Sequence, residues 1–311
     1  MGKVDIVSLG EAMIEFNQTQ PGSREYLQGY GGDTSNAIIA AARQGASTAY
    51  ITLLGCDTFG DELVALWERE NVSTAAVGRD PDAPTAVYFV THGPTGHQFS
   101  YLRAGSAASR MTPADLPREV IEGAKYLHVS AISQAISASA CDTVFAAIEI
   151  ARNAGVKVVY DSNLRLKLWP LARARAVIRE TISQCDVFLP SYDDVVHLAG
   201  VDDAEGIIDW CLAAGAPVAV LKLGKEGAIV ATTQRRTKVA GQRVDAVDAT
   251  GAGDTFAGAL LARLAAGDEI GEAARYANAA AALATTGYGA VAPIPRAEAV
   301  RALLAQRTPA R

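Results

Sequence analysis

Short runs rich in β-branched residues alternate along this chain with longer runs of helical spacing, and that alternation constrains the fold more than any other feature. Val4 to Leu9 precedes a helical stretch from Thr34 to Gln44, and Thr48 to Leu54 precedes another from Glu62 to Glu70. The rhythm resumes at Tyr126 to Ser130, Thr143 to Asn153, Val156 to Asp161, Ala172 to Ser183, Asp186 to Leu189 and Val218 to Leu223. Parallel strands must be joined by a crossover, usually a helix, so the pattern predicts an α/β fold: a mostly parallel sheet with helices on both faces, three layers in all. Binding residues of such sheets gather beyond the C-terminal ends of the strands.

One interval breaks the rhythm. Thr85 to Thr91 and Gln98 to Leu102 flank the turn Gly93-Pro94-Thr95-Gly96 and read as an antiparallel hairpin. With the weakly periodic segment from Glu15 to Tyr30, it predicts a small β-lid of approximately residues 15–30 and 85–103. The 311 residues suggest two units at about 150 residues per domain, but no linker or repeat divides them. The expected organisation is one α/β domain over 1–311 with a discontinuous lid.

Composition narrows the function. Half the residues are hydrophobic and 20% are charged, enough for a large core and too few charges for disorder. The net charge is −6 and no Lys/Arg run exceeds two residues, which argues against nucleic acid or an anionic membrane as partner. Four dispersed cysteines and four unclustered histidines offer neither a disulfide framework nor a zinc site. No leader pattern and no apolar run of about 18 residues stands out, so the expected location is cytoplasmic and the expected partners are small molecules.

The stretch Asp248-Ala249-Thr250-Gly251-Ala252-Gly253-Asp254 carries the clearest chemistry. Its glycines let the backbone N–H groups of Gly251, Ala252, Gly253 and Asp254 converge on an anion at a helix N-terminus. Asp254, in the first turn, is placed to accept a proton from an attacking hydroxyl while those amides hold a transferring phosphoryl group. A helix cap on a glycine turn is the plainer alternative. Gly224-Lys225 lacks the rest of a Walker loop, and Phe256 stands where a dinucleotide fingerprint needs glycine.

The Gly251-Ala252-Gly253-Asp254 loop resembles the second signature of the PfkB, or ribokinase-like, family of sugar and nucleoside kinases. Gly31-Gly32-Asp33-Thr34-Ser35-Asn36 resembles its first, with Gly45 and Gly55 at the family's spacing and Ile38 where the family prefers a small residue. Gly10-Glu11-Ala12-Met13-Ile14-Glu15, Tyr101-Leu102-Arg103-Ala104-Gly105-Ser106-Ala107, and Asp161-Ser162-Asn163-Leu164-Arg165 followed by Leu168-Trp169 are similar to the branch of 2-keto-3-deoxygluconate kinases. The resemblance implies transfer of the ATP γ-phosphoryl group to the 6-hydroxyl of 2-dehydro-3-deoxygluconate, giving a 6-phosphate for aldol cleavage in an Entner–Doudoroff type route. It assigns Asp254 as base and Gly251, Ala252 and Gly253 as anion hole. Gly32, Asp33 and Asn36 fall to the sugar hydroxyls, with Tyr88, Tyr101 and Arg103 closing from the lid. Arg165 falls to the acid end or the phosphate. Asn163, Arg165, Ser191, Lys222, Gly224, Gly227, Gly251, Gly253 and Asn278 fall to the nucleotide.

Two arginines facing the substrate suit a sugar acid, because the planar guanidinium fork matches a carboxylate. Where the family has Asn-x-x-Glu near magnesium, this chain has Ser191-Tyr192-Asp193-Asp194, which implies Mg²⁺ held through water by way of Asp194. A monovalent cation beside Asp248 is implied by the same likeness. Plainer roles stand beside these: cross-strand packing for Tyr88 and Tyr101, a solvated lid charge for Arg103, a helix cap for Asp33, and packing or surface positions for His128 and His197. Glu11 and Glu15 read as lying at the end of the first strand, where one of them could reach the substrate. The rival functions are a fructokinase or another sugar kinase of the family, a non-catalytic sugar-binding regulator, and, most distantly, a dehydrogenase. An exposed lid hairpin predicts a homodimer or higher homo-oligomer.

Overall fold

The structure is a computed structural model and describes residues 3–93 and 96–306. Its strands are β1 (Ile6–Leu9), β2 (Met13–Gln18), β3 (Tyr26–Gly31), β4 (Thr48–Gly55), β5 (Val72–Ser73), β6 (Val77–Asp80), β7 (Val87–Gly93) and β8 (Gly96–Leu102), then β9 (Tyr126–Ser130), β10 (Lys157–Asp161), β11 (Val187–Leu189), β12 (Val218–Lys222), β13 (Gly227–Ala231) and β14 (Arg236–Ala240). Ten of them form one sheet in the order β14-β13-β12-β11-β10-β9-β1-β4-β5, with β6 also paired to β4. Every pairing from β12 to β5 and β6 is parallel, and β13 and β14 add an antiparallel edge.

The parallel strands are short apolar runs because helices cover both their faces. Ile6–Leu9 is buried along its whole length, and successive residues point to opposite cores: Ile6 joins Ile39, Tyr50, Trp67, Leu260 and Ala277, while Val7 joins Val129, Ile148, Ile178 and Ile208. On the first face, helices Asp33–Arg43 and Ala252–Ala265 approach so closely that a Cβ added at Gly258 would stand 2.0 Å from the Ala37 carbonyl oxygen. Ile38 fits this contact as a core residue, 1% exposed.

The second sheet runs β3-β2-β7-β8 and contains the segments read as a lid. Phe16 of β2 stacks on Phe89 of β7 with ring centroids 5.2 Å apart and meets Phe59 of helix Thr58–Arg69 edge-on at 5.9 Å. β8 is exposed from end to end. The hairpin closes between Gly93 and Gly96, and Pro94 and Thr95 of its expected turn lie outside the described residues.

Several elements differ from the sequence reading. Glu15 belongs to β2 of the second sheet and does not extend the first strand. Gly32 is the helix N-cap and Asp33 the first helical residue, whose side chain makes no cap bond, so the capping role expected of Asp33 is absent. After Leu223 the chain turns back as the antiparallel pair β13 and β14, where the alternation gave no strand.

Candidate active site

The C-terminal ends of β10 and β12 and the N-termini of two helices converge on one cleft. Asp161 ends β10, 4% exposed, and Lys222 ends β12; Lys222 Nζ lies 2.6 Å from Asp161 Oδ2. The same ammonium lies close to the glycine loop, since a Cβ added at Gly253 would be 3.8 Å from it. Gly251 caps helix Ala252–Ala265 in the left-handed conformation, φ 74°, which only glycine adopts without strain. Thr255 N–H makes the first helical bond, to Gly251 O, and Ala252 N–H turns back to Ala249 O at 3.2 Å, so the amides of Gly253 and Asp254 are the ones that the helix start leaves for a ligand.

Asp254 stands in that first turn, half-buried. Asn36 Nδ2, from helix Asp33–Arg43, donates to Asp254 Oδ2 at 2.8 Å. Asn36 Oδ1 is buried without a hydrogen-bond partner. Loss of water pushes the Asp254 carboxyl up to about 7, with the Asp33 and Asp161 charges adding to the rise, while Asn36 and Lys222 oppose it. Asp161 is likewise raised by burial and held back by Lys222. Asn163, at φ 21°, donates from Nδ2 to Asp33 Oδ2 at 2.9 Å and ties β10 to the helix that carries Asn36.

The lid side is equally ordered. Gly32 takes φ 118°, and a Cβ there would stand 2.4 Å from the Glu11 carbonyl oxygen. Tyr88 donates its hydroxyl to Glu15 Oε2 and stacks on Tyr101 at 5.6 Å; Gly31 leaves room for the Tyr88 ring. The Arg103 guanidinium lies over the Tyr101 ring at 5.5 Å and is ion-paired with Glu11. Arg103 is therefore neither solvated nor bare. Arg165, by contrast, is exposed, with Nη1 turned to the Leu164 carbonyl at 2.8 Å.

Residues 3–297 match the pfkB family carbohydrate kinase. The chain belongs to that family. It is 34% identical over 317 residues to "Probable fructokinase-4" of Arabidopsis thaliana, covering 96% of each chain, and 33% identical over 315 residues to "2-dehydro-3-deoxygluconokinase" of Bacillus subtilis (strain 168), covering 98% of this chain and 97% of that one. Among solved structures, fructokinase with bound ATP from Xylella fastidiosa superposes with TM-score 0.90 at 27% identity, over 98% of this chain and 99% of that one. The ribokinase-like α/β fold expected from the sequence is thus the fold found, and the protein is a sugar kinase of the pfkB family.

Among the residues expected at the nucleotide, Gly224 has φ 56° with open space around its Cα, and Gly227 is needed where β13 meets β14, since a Cβ there would stand 2.1 Å from Val239 O. Asn278 is buried, and its Nδ2 donates to Val239 O and Ala240 O at 3.3 Å, fastening helix Ile270–Ala284 to β14. Ser191 caps helix Tyr192–Ala199, and its N–H donates to Ser162 Oγ at 3.3 Å; that hydroxyl donates to Asp194 Oδ2 at 3.1 Å. Among the described residues no three His, Cys, Asp or Glu side chains gather closely enough to cage a metal. Magnesium keeps several waters and takes one or two carboxylates beside nucleotide phosphates, which fits Asp194, whose charge Asp161 feels.

The sequence reading missed Asp161 in this cluster, and it considered Glu11 for the substrate without foreseeing its ion pair with Arg103. Asp161 was legible as a carboxylate ending a parallel strand, where ligand groups collect. The pairing of Glu11 with Arg103 had no such signal, because the two are distant in sequence. His128, read as packing, is buried in β9 with Nδ1 2.6 Å from Ser8 Oγ, and burial lowers it to about 4, a neutral residue at physiological pH.

Proposed function

We propose that this sugar kinase phosphorylates the 6-hydroxyl of 2-dehydro-3-deoxygluconate at the expense of ATP. The observation that carries the substrate choice is Arg103: of the two donors on one edge of its fork, beside Tyr101 and Tyr88, Nε is buried without an acceptor and Nη2 is held by Glu11. A carboxylate accepts from such an edge bidentately, and a neutral sugar has no group of that charge and shape.

In this reading the sugar lies between the lid and helix Asp33–Arg43, with Gly32, Asp33 and Asn36 Oδ1 facing its hydroxyls. Asp254, oriented by Asn36, takes the proton as O6 attacks the γ-phosphorus; the O6–P bond forms, the bond to the β-phosphate oxygen breaks, and ADP leaves. The amides at Gly251 to Gly253, with Lys222 beside them, hold the charge on the transferring group. The lid excludes water, so that the sugar hydroxyl is the nucleophile. Bound Mg²⁺, held through water near Asp194, supplies charge neutralisation on the phosphates. Asn163, Arg165, Ser191, Gly224, Gly227 and Asn278 are assigned to the nucleotide side by family resemblance, and a monovalent cation is assigned beside Asp248, whose carboxylate already accepts from Thr250 and Gly289.

Fructose phosphorylation is the second reading. Two observations favour it: fructokinases are as close in identity as the sugar-acid kinase, and Glu11 already neutralises Arg103. ADP release measured with 2-dehydro-3-deoxygluconate, its galacto epimer, fructose, ribose and adenosine separates the two. The expected result is the highest kcat/KM for a ketodeoxy sugar acid; a preference for fructose overturns the substrate assignment and leaves the kinase standing.

We read the exposed β8 edge, with Phe99 42% and Leu102 66% exposed, as the pairing face for a second copy, which light scattering on the purified chain tests: a monomer at micromolar concentration refutes it. Among the described residues no helix is long and apolar enough to cross a membrane, and a cytoplasmic location is the reading adopted.

A further inference from the structure

We propose that Glu11 is a specificity-determining residue of the sugar site, holding the Arg103 guanidinium while the site is empty and taking up a proton from solvent when the carboxylate of a sugar acid engages that guanidinium. This rests on the sugar-acid reading above. Glu11 lies in the link from β1 out to β2, and Arg103 and Ser106 lie in the link from β8 back to the core, so the contact joins two of the chain's crossings between the sheets. The Glu11 side chain has no solvent exposure. Its Oε1 accepts from Ser106 Oγ at 2.7 Å, and its Oε2 is ion-paired with Arg103 Nη2.

The groups that face Glu11 are few. Arg103 is the cation, Asp33 the opposing carboxylate, Ser106 the hydroxyl donor, and Tyr50, itself bonded to Thr34 Oγ1, the remaining titratable group. One guanidinium out of water cannot neutralise two carboxylates, and in such a cluster one carboxyl binds a proton. The substrate carboxylate takes the Nε/Nη2 edge by displacing Glu11 Oε2 from Nη2, and Oε2, thereby left without its cationic donor, carries the proton. A neutral sugar adds no charge and requires no such uptake. Affinity for the acid sugar therefore falls about tenfold for each pH unit above the titration of Glu11, while affinity for a neutral sugar does not follow that slope.

Calorimetric titration of the full-length enzyme, without nucleotide and at mildly alkaline pH, in buffers of differing ionisation enthalpy, counts the protons. With 2-dehydro-3-deoxygluconate the expected uptake exceeds that with fructose by about one proton. The fructose titration measures the share of Asp254, which meets the same hydroxyl of either sugar. Glu11→Gln should remove the excess and flatten the pH dependence of acid-sugar affinity; if that variant does not fold, the wild-type excess decides alone. Acid-sugar binding with the proton count of fructose overturns the role of Glu11 and leaves the sugar-acid reading intact, whereas failure of the acid sugar to bind overturns both.

Discussion

Replacing Asp254 with asparagine should slow the enzyme and stabilise the fold, and the two effects come from one cause. Asn36 Nδ2 donates to Asp254 at 2.8 Å, and an amide oxygen at position 254 accepts that bond equally well, so the substitution removes the proton acceptor and little else. Loss of a general base costs about 10²–10⁴-fold in rate, so turnover should drop at least about 100-fold with sugar binding retained. The carboxyl sits at about 7 instead of its ordinary 3.8, because the cleft removes water and Asp33 and Asp161 add like charge. Folding thus favours its protonated form. Below about pH 4 it is protonated in folded and unfolded chains alike and contributes nothing; the penalty grows from there to about pH 7 and is constant above. Three pH units at about 1.4 kcal/mol each set an upper bound of about 4 kcal/mol, which water at the open side of the cleft reduces to about 2. For a chain of this size that is ~2–4 °C in Tm. Thermal melts across that pH range, paired with ADP release at saturating substrates, test both parts. A variant within tenfold of wild-type turnover, or one that melts lower than wild type at about pH 8, refutes the reasoning.

Three further outcomes follow from the same geometry. Lys222→Met leaves the buried Asp161 carboxylate without its cation and should cost about 3 kcal/mol at pH 8, a loss that shrinks as acid protonates Asp161; denaturant melts showing the reverse pH trend would contradict it. Gly32→Ala forces a side chain into φ 118° against the Glu11 carbonyl and should cost about 1–3 kcal/mol and raise KM for sugar more than for ATP, as steady-state kinetics will show. Asn278→Ala removes the amide that joins helix Ile270–Ala284 to β14 and should lower stability by about 1–2 kcal/mol; the accompanying change in KM for ATP measures how much the same side chain gives to the nucleotide.

The central strands were legible because both faces of each are buried, so Ile6–Leu9 and Tyr126–Ser130 announce themselves as apolar runs bounded by polar turns. β14, Arg236–Ala240, was not, since it is an edge strand with mostly solvated side chains, of which only Val239 is buried. Within the site, the Asp254 loop was legible because four consecutive residues carry both the proposed anion donors and the proposed base. Lys222 with Asp161, and Glu11 with Arg103, meet only after folding, and no local pattern records which cation faces which carboxylate. Arg165 shows the converse: its place after a strand end is right for binding, yet its guanidinium in this structure turns to the Leu164 carbonyl.

Gly258 lies a full helical turn beyond Asp254, buried against Ala37 and Ala40, yet in the proposed mechanism it governs a distance in the chemistry. Its missing side chain allows the helix bearing Asp254 to rest against Ala37, the residue after Asn36 on the other helix. The spacing between base and orienting amide is therefore a helix–helix separation, fixed by a core contact and indifferent to whether the lid is open or shut. On the proposed reading, substitutions at Tyr88, Tyr101 or Arg103 should alter sugar preference without disturbing proton transfer. A methyl group at position 258 should act in the opposite sense, pushing the two helices apart and depressing kcat while leaving the enzyme's choice among sugars as it was.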